Sequence, residues 1–192
     1  MNPKSLIVRL ASFSLGAFVL GGILAAPARG ANPDTMQVTV TPGNITYGVQ
    51  ITSVSSSGYD FGAVDMGAST ISTKAIGVKN IGNVSEYFSI SVSNTAPDGW
   101  VPINSGVPGN NQFLMLGRIQ SPGAPQPGSN TFDVNLDTVT TASPSAAAGR
   151  YGQASRTNPD ASKDLWLKFI MPATVTTTAG QSMVLTINAQ AN

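Results

Sequence analysis

The chain has 192 residues, with 10 Lys and Arg against 9 Asp and Glu and neither Cys nor His. Without Cys there can be no disulfide, thiol nucleophile, thiolate metal site or lipidated N-terminal Cys. Without His the usual general base and the commonest zinc ligand are missing. Only 10% of residues are charged, against roughly 25% in ordinary soluble domains, and no basic run tracks phosphates, so nucleic acid is not expected as a partner.

Lys4 and Arg9 precede an uncharged apolar run, Leu10–Ala26, and small residues follow at Ala26-Pro27-Ala28 and Gly30. This order predicts a secretory signal over residues 1–30. A retained membrane anchor is the rival reading, but the run is at the short limit for a span and rich in Gly and Ala. Cleavage after Gly30 leaves 7 bases against 9 acids, a net charge of −2, and cleavage after Ala28 leaves −1. Residues 31–192 then form one domain, secreted or at the cell surface. Membrane contact is expected only through the signal before cleavage.

Met36–Val40 and Ile45–Val54 alternate apolar with polar residues about a Pro42-Gly43-Asn44 turn. Tyr59–Val64 reads as a short strand. Thr70–Lys79 and Glu86–Ser93 read as two strands of a hairpin around Asn80-Ile81-Gly82-Asn83, the second with Phe88, Ile90 and Val92 inward. Trp100 reads as an aromatic plug at one end. Gln112–Ile119 has apolar residues on both faces, and Gln120–Asn130 is Pro/Gly-rich loop. Phe132–Val139 reads as a short strand, and residues 140–163 as a long irregular loop that signals function, disorder or a missed short helix. Asp164–Met171 and Ser182–Gln190 alternate again.

Seven to nine strands with no long amphipathic helix predict an all-β fold, an antiparallel immunoglobulin-like β-sandwich. A closed barrel is the alternative, and an outer-membrane barrel fits less well for want of strands and aromatic girdles.

Asp60-Phe61-Gly62-Ala63-Val64, Gly67 and then Ile76–Asn83 resemble a pattern of bacterial immunoglobulin-like surface modules. Choice-of-anchor and Hydin-type proteins carry it, and camelysin-like biofilm matrix proteins have a signal peptide and a similar N-x-G-N turn. The resemblance covers about 35 residues, its motifs are structural, and it brings no catalytic residues. It implies a sandwich with a structural or adhesive role. The chain has neither the LPxTG signal nor the hydrophobic tail of anchored proteins.

Several residues are candidates for chemistry. Asp133, Asn135 and Asp137 at period two, and Asn158, Asp160 and Asp164, offer oxygen ligands, but calcium needs six to eight. Solvated polar faces explain both groups better, and no metal or cofactor is expected. Asp60 and Asp65 could in principle act as a carboxylate pair on a glycoside, but turn capping is the simpler explanation. Asn44-Ile45-Thr46 and Asn83-Val84-Ser85 match the glycosylation sequon and read as turn residues. Trp100, Trp166, Tyr47, Tyr59 and Tyr151 could line a sugar-stacking platform, with core packing as the simpler alternative. Trp166, Trp100 and Tyr151 are the leading candidates for contact with a ligand or partner. Ser182–Gln190 and Asn32–Val40 carry no Lys or Arg and are candidate edge strands for pairing with another copy.

These features predict a non-enzymatic structural or adhesive surface protein that assembles with itself, as an oligomer or fibre, or with other surface proteins. The alternative is a small binding module, for instance for glycans, using Trp166 or the 140–163 loop.

Overall fold

The computed structural model describes residue 37 and residues 43–53, 58–95, 99–141, 149–152 and 156–190. The signal segment and the Met36–Val40 strand, apart from Gln37, therefore lie outside the described residues. Gly43–Asn192 group as one unit; in the unit Met1–Pro42 only Gln37 is described, and it is exposed.

The described strands are β1 (Val49–Ile51), β2 (Ser69–Ile71), β3 (Ile76–Asn80), β4 (Tyr87–Val92), β5 (Val101–Pro102), β6 (Gln112–Gln120), β7 (Ser162–Ile170) and β8 (Leu185–Gln190). One helical turn, α1 (Val134–Asp137), lies between β6 and β7. Six strands form one sheet in the order β1-β3-β7-β6-β5, with β2 also paired to β7, and β4 and β8 form a second. The fold is thus mostly β, as expected, but its larger sheet is mixed, not antiparallel throughout: β5 runs parallel to β6. Pro102 has no N–H to donate, which confines so short a strand to the fringe. It is held by Val101 N–H to Asn111 O and Ile103 N–H to Phe113 O.

The hairpin expected between β3 and β4 does not form. β3 pairs with β1 and β7, whereas β4 pairs with β8 in the other sheet. Asn80 is the reason the chain leaves its sheet here. Fully buried, its Oδ1 accepts from Gly82 N–H at 2.7 Å, and its Nδ2 donates to Val84 O and Thr157 O, both at 2.9 Å. These bonds bind the turn to itself and to the segment before β7, so residues 81–86 form an arch between sheets. Glu86 ends the arch, exchanging backbone bonds with Thr157. Its carboxylate is buried: Oε2 accepts from Gly48 N–H at 3.2 Å and Oε1 has no partner.

The predicted strand Thr70–Lys79 is broken by Ser72–Ala75. β2 and β3 lie along one edge of β7, on its two halves. Ser72 bridges the interruption by donating its N–H to Leu167 O and accepting Leu167 N–H on its hydroxyl. Tyr59–Val64 is not a strand either. Asp60 Oδ1 accepts from Gly62 N–H at 2.8 Å, and Gly62 takes a positive φ of 69° that ends extended pairing.

Both sheets contribute to one core. Ile76 and Val78 of β3, Phe113, Met115 and Ile119 of β6, and Leu165, Leu167 and Phe169 of β7 pack with Phe88, Ile90, Val92 and Ile187 of the smaller sheet. Closest approach falls at Gly117 in β6, where an added Cβ would lie 3.2 Å from both Ile90 Cδ1 and Val139 Cγ2. Gly117→Val should therefore cost about 1–2 kcal/mol by overpacking, read as a lower urea midpoint at unchanged slope. An unchanged midpoint would mean that the sheets are not in contact there.

The second face of β6 and β7 is also covered. Leu114, Leu116 and Trp166 pack with Phe132 from the connection after β6. Phe132–Val139, predicted as a strand, instead contains α1. Asp133 caps this turn by accepting Asn135 N–H at 2.8 Å, a local bond that diverts the backbone from extended pairing.

A candidate binding recess beside Arg118 and Asp137

Strand alternation places Phe113, Met115 and Ile119 in the main core, and so turns Leu114, Leu116 and Arg118 to the opposite face. A single charge on such an apolar face has to find a partner. Arg118 finds two: Nη1 donates to Thr131 O at 2.8 Å and pairs with Asp137 Oδ2 at 3.2 Å. α1 supplies the carboxylate, and Asp133 N–H donates to the same Oδ2 at 2.9 Å. The Asp137 side chain is wholly buried while that of Arg118 stays 28% exposed. Burial pushes the Asp137 carboxyl above its ordinary range, against the lowering pull of the Asp133 N–H and of Arg118.

Over this pair lies an open recess of about 660 Å3, walled by residues 130–137 on one side and by Gly149 and Gly152 on the other. The second wall has unusual backbone. Gly149, Tyr151 and Gly152 all have positive φ, and Tyr151, at φ 53° and ψ 29°, is a bulky residue held left-handed. Such a conformation costs about 1–2 kcal/mol, and the burial of Tyr151 holds it in place, its hydroxyl donating to Ile90 O at 3.2 Å. The reward of the close turn is contact with Arg118: a Cβ on Gly152 would lie 3.1 Å from Arg118 Cγ and 3.3 Å from Cζ. The loop expected at 140–163 thus contains a short 3-10 turn, Arg150–Gly152, that positions a charged side chain. Residues 142–148 and 153–155 lie outside the described residues.

Two polar atoms of the pair have no hydrogen-bond partner, Arg118 Nε and Asp137 Oδ1. A guanidinium has five N–H donors, and among the described residues Thr131 O and Asp137 Oδ2 accept from Nη1.

The aromatic candidates do not form a platform. Trp166, Trp100 and Tyr151 are all buried, and a stacking site needs an open ring face. Trp166 does lie opposite Leu165, Leu167 and Phe169, as its parity requires, but Phe132 covers that face. It is also the cross-strand partner of Arg118, so Trp166 and Tyr151 both flank the recess residue without opening into it. Trp100 belongs to the main core, held by Thr95, which exchanges backbone and side-chain bonds with it. Of the remaining aromatics, Tyr47 is exposed on the segment leading into β1, and Tyr59 packs edge-on against Phe61.

The oxygen clusters are dispersed by other bonds. Asp160 pairs with Lys79 at 3.2 Å, Asn158 accepts from Ser85, and Asp164 accepts from Gly123 N–H. No group of acidic side chains among the described residues is arranged to hold a metal ion. The two sequons meet in one turn network, with Asn83 Nδ2 donating to Asn44 O and Thr46 N–H donating to Asn83 Oδ1.

The sequence marks Asp137 as a candidate for a different chemistry, and it does not single out Arg118. The signal is present nonetheless: a lone charge two residues after Leu116, on the strand face that carries Leu114 and Leu116. No protein-family model matches this chain, and no curated protein matches it either.

Proposed function

We propose that the chain is a secreted structural or adhesive subunit of a cell surface, built as an immunoglobulin-like sandwich and joined to other copies through uncharged sheet edges. The observation that carries this reading is that β1 ends the larger sheet among the described residues. Gly48 O accepts from Ile81 N–H just after β3, Thr52 N–H donates to Gly77 O of β3, and Gln50 lies opposite Lys79, so alternation turns the backbone groups of Val49 and Ile51 to the outer side. Ile45, Tyr47, Ile51 and neighbouring Ile81 are exposed, at 64%, 45%, 42% and 55%. Residues 43–53 contain no charge and no Pro, the devices that natural monomers use to blunt an edge. The sequence alone points instead to Ser182–Gln190 and Asn32–Val40. The first of these supplies β8, paired to β4 on one side.

The test is a concentration series of the purified protein by sedimentation and electron microscopy. Ordered oligomers or fibres are expected for the native chain. Ile51→Lys should raise the concentration needed for assembly at least about tenfold and leave Tm within ~2 °C, because the side chain is exposed. A native chain that stays monomeric at every concentration would remove the proposal.

A further inference from the structure

Arg118 is held by Thr131 O, Asp137 and the close backbone of Gly152, and yet its side chain stays 28% exposed and lines a recess, which sheet-edge assembly does not call for. We propose that this recess binds a neutral polyhydroxylated ligand, one sugar unit of an extracellular glycan. Ligand charge is constrained by the site itself. Asp133 at the rim and Asp137 at the floor set two carboxylates beside one guanidinium, which disfavours an anion. Arg118 at the floor disfavours a cation.

A sugar hydroxyl meets both demands, because it accepts from the guanidinium with its oxygen and donates to the exposed Asp133 carboxylate with its proton. Val134 and Leu136, exposed on the same wall, offer apolar contact to the C–H face of the ring. Arg118 is the contacting residue, since part of its side chain is open, whereas Asp137 is fully buried and acts as a positioning residue by fixing Nη1. Thr131 O and the close backbone of Gly152 fix the rest of the side chain, so little side-chain freedom is left to lose on binding.

The experiment is a nitrogen-15 NMR titration of the purified protein with a panel of neutral oligosaccharides, followed at the Arg118 side chain and at residues 130–137. At least one sugar should shift these signals with a Kd on the order of 1 mM. Arg118→Lys keeps the charge but loses the planar fork, and should weaken binding about tenfold or more at little change in Tm. Asp133→Asn keeps a good helix cap, so its fold is safe, and it should weaken the sugar a few-fold while favouring any anion. Ile51→Lys should bind as the native chain does, because β1 and β6 are separated in the sheet by β3 and β7. No shift with any sugar, unchanged affinity in Arg118→Lys, or response only to inorganic phosphate or putrescine would each overturn the proposal.

Discussion

Arg118→Ala should lower stability by about 3 kcal/mol at neutral pH, or roughly 6–12 °C in Tm for a domain of this size. The loss does not come from the ion pair's own net strength, which desolvation largely offsets. It comes from what remains: a wholly buried Asp137 carboxylate whose bonds reduce to the Asp133 N–H on Oδ2, with Oδ1 already unpartnered. Burial already raises the Asp137 carboxyl above its ordinary value of 3.8, and removing the lowering influence of Arg118 raises it further. Below that higher value the carboxyl is neutral and the penalty vanishes, so the cost of the substitution should shrink as the solution is acidified. A double-mutant cycle checks the cause. In an Asp137→Asn background the charge is gone, and Arg118→Ala should cost only about 1 kcal/mol, from lost stem packing. Equal costs in the two backgrounds would mean that the charge of Asp137 is irrelevant and that Arg118 acts only by filling space.

How much of this can be read from residues alone follows from the range of the forces involved. Period-two alternation is local, so it locates β4, β6, β7 and β8 within a few residues and tells correctly that β6 is buried on both faces. Pairing is not local. Asn80-Ile81-Gly82-Asn83 has the composition of a hairpin turn, and only the bonds from Asn80 to Val84 and to distant Thr157 reveal an arch to another sheet. Short polar residues deceive for a related reason. Asp133 to Asp137 alternate like a strand, yet the side chain of Asp133 captures Asn135 N–H and starts a helical turn. The recess is invisible in the sequence because its two walls, residues 130–137 and 149–152, are separate in the chain and come together beside Arg118. Trp166 misleads because outward from one core is inward to a second, beneath Phe132, whereas Trp100 and Tyr151 are simply part of the main core.

Glu86→Gln should stabilise the protein by about 2–3 kcal/mol at neutral pH, a rise of roughly 5–10 °C in Tm. Few substitutions of a fully buried side chain stabilise, so the sign is the informative part. Glu86 is enclosed where the arch meets the backbone before β1, and no ion pair reaches it among the described residues. Desolvation pushes its carboxyl above the ordinary value of 4.5, and the single Gly48 N–H offsets this only in part. Between 4.5 and the raised folded value, the folded state therefore binds more protons than the unfolded state. Stability must fall as pH rises through that window, and the full contribution is present below it. Asp137, raised from 3.8, adds a slope of the same sign. Gln keeps an oxygen for Gly48 N–H and removes the charge, so the variant should lose the Glu86 part of the slope and keep the Asp137 part. Urea unfolding of both proteins at a series of pH values measures the difference directly. If the variant is the less stable at neutral pH, or if the two curves run parallel, Glu86 is not a charge held against the cost of burial.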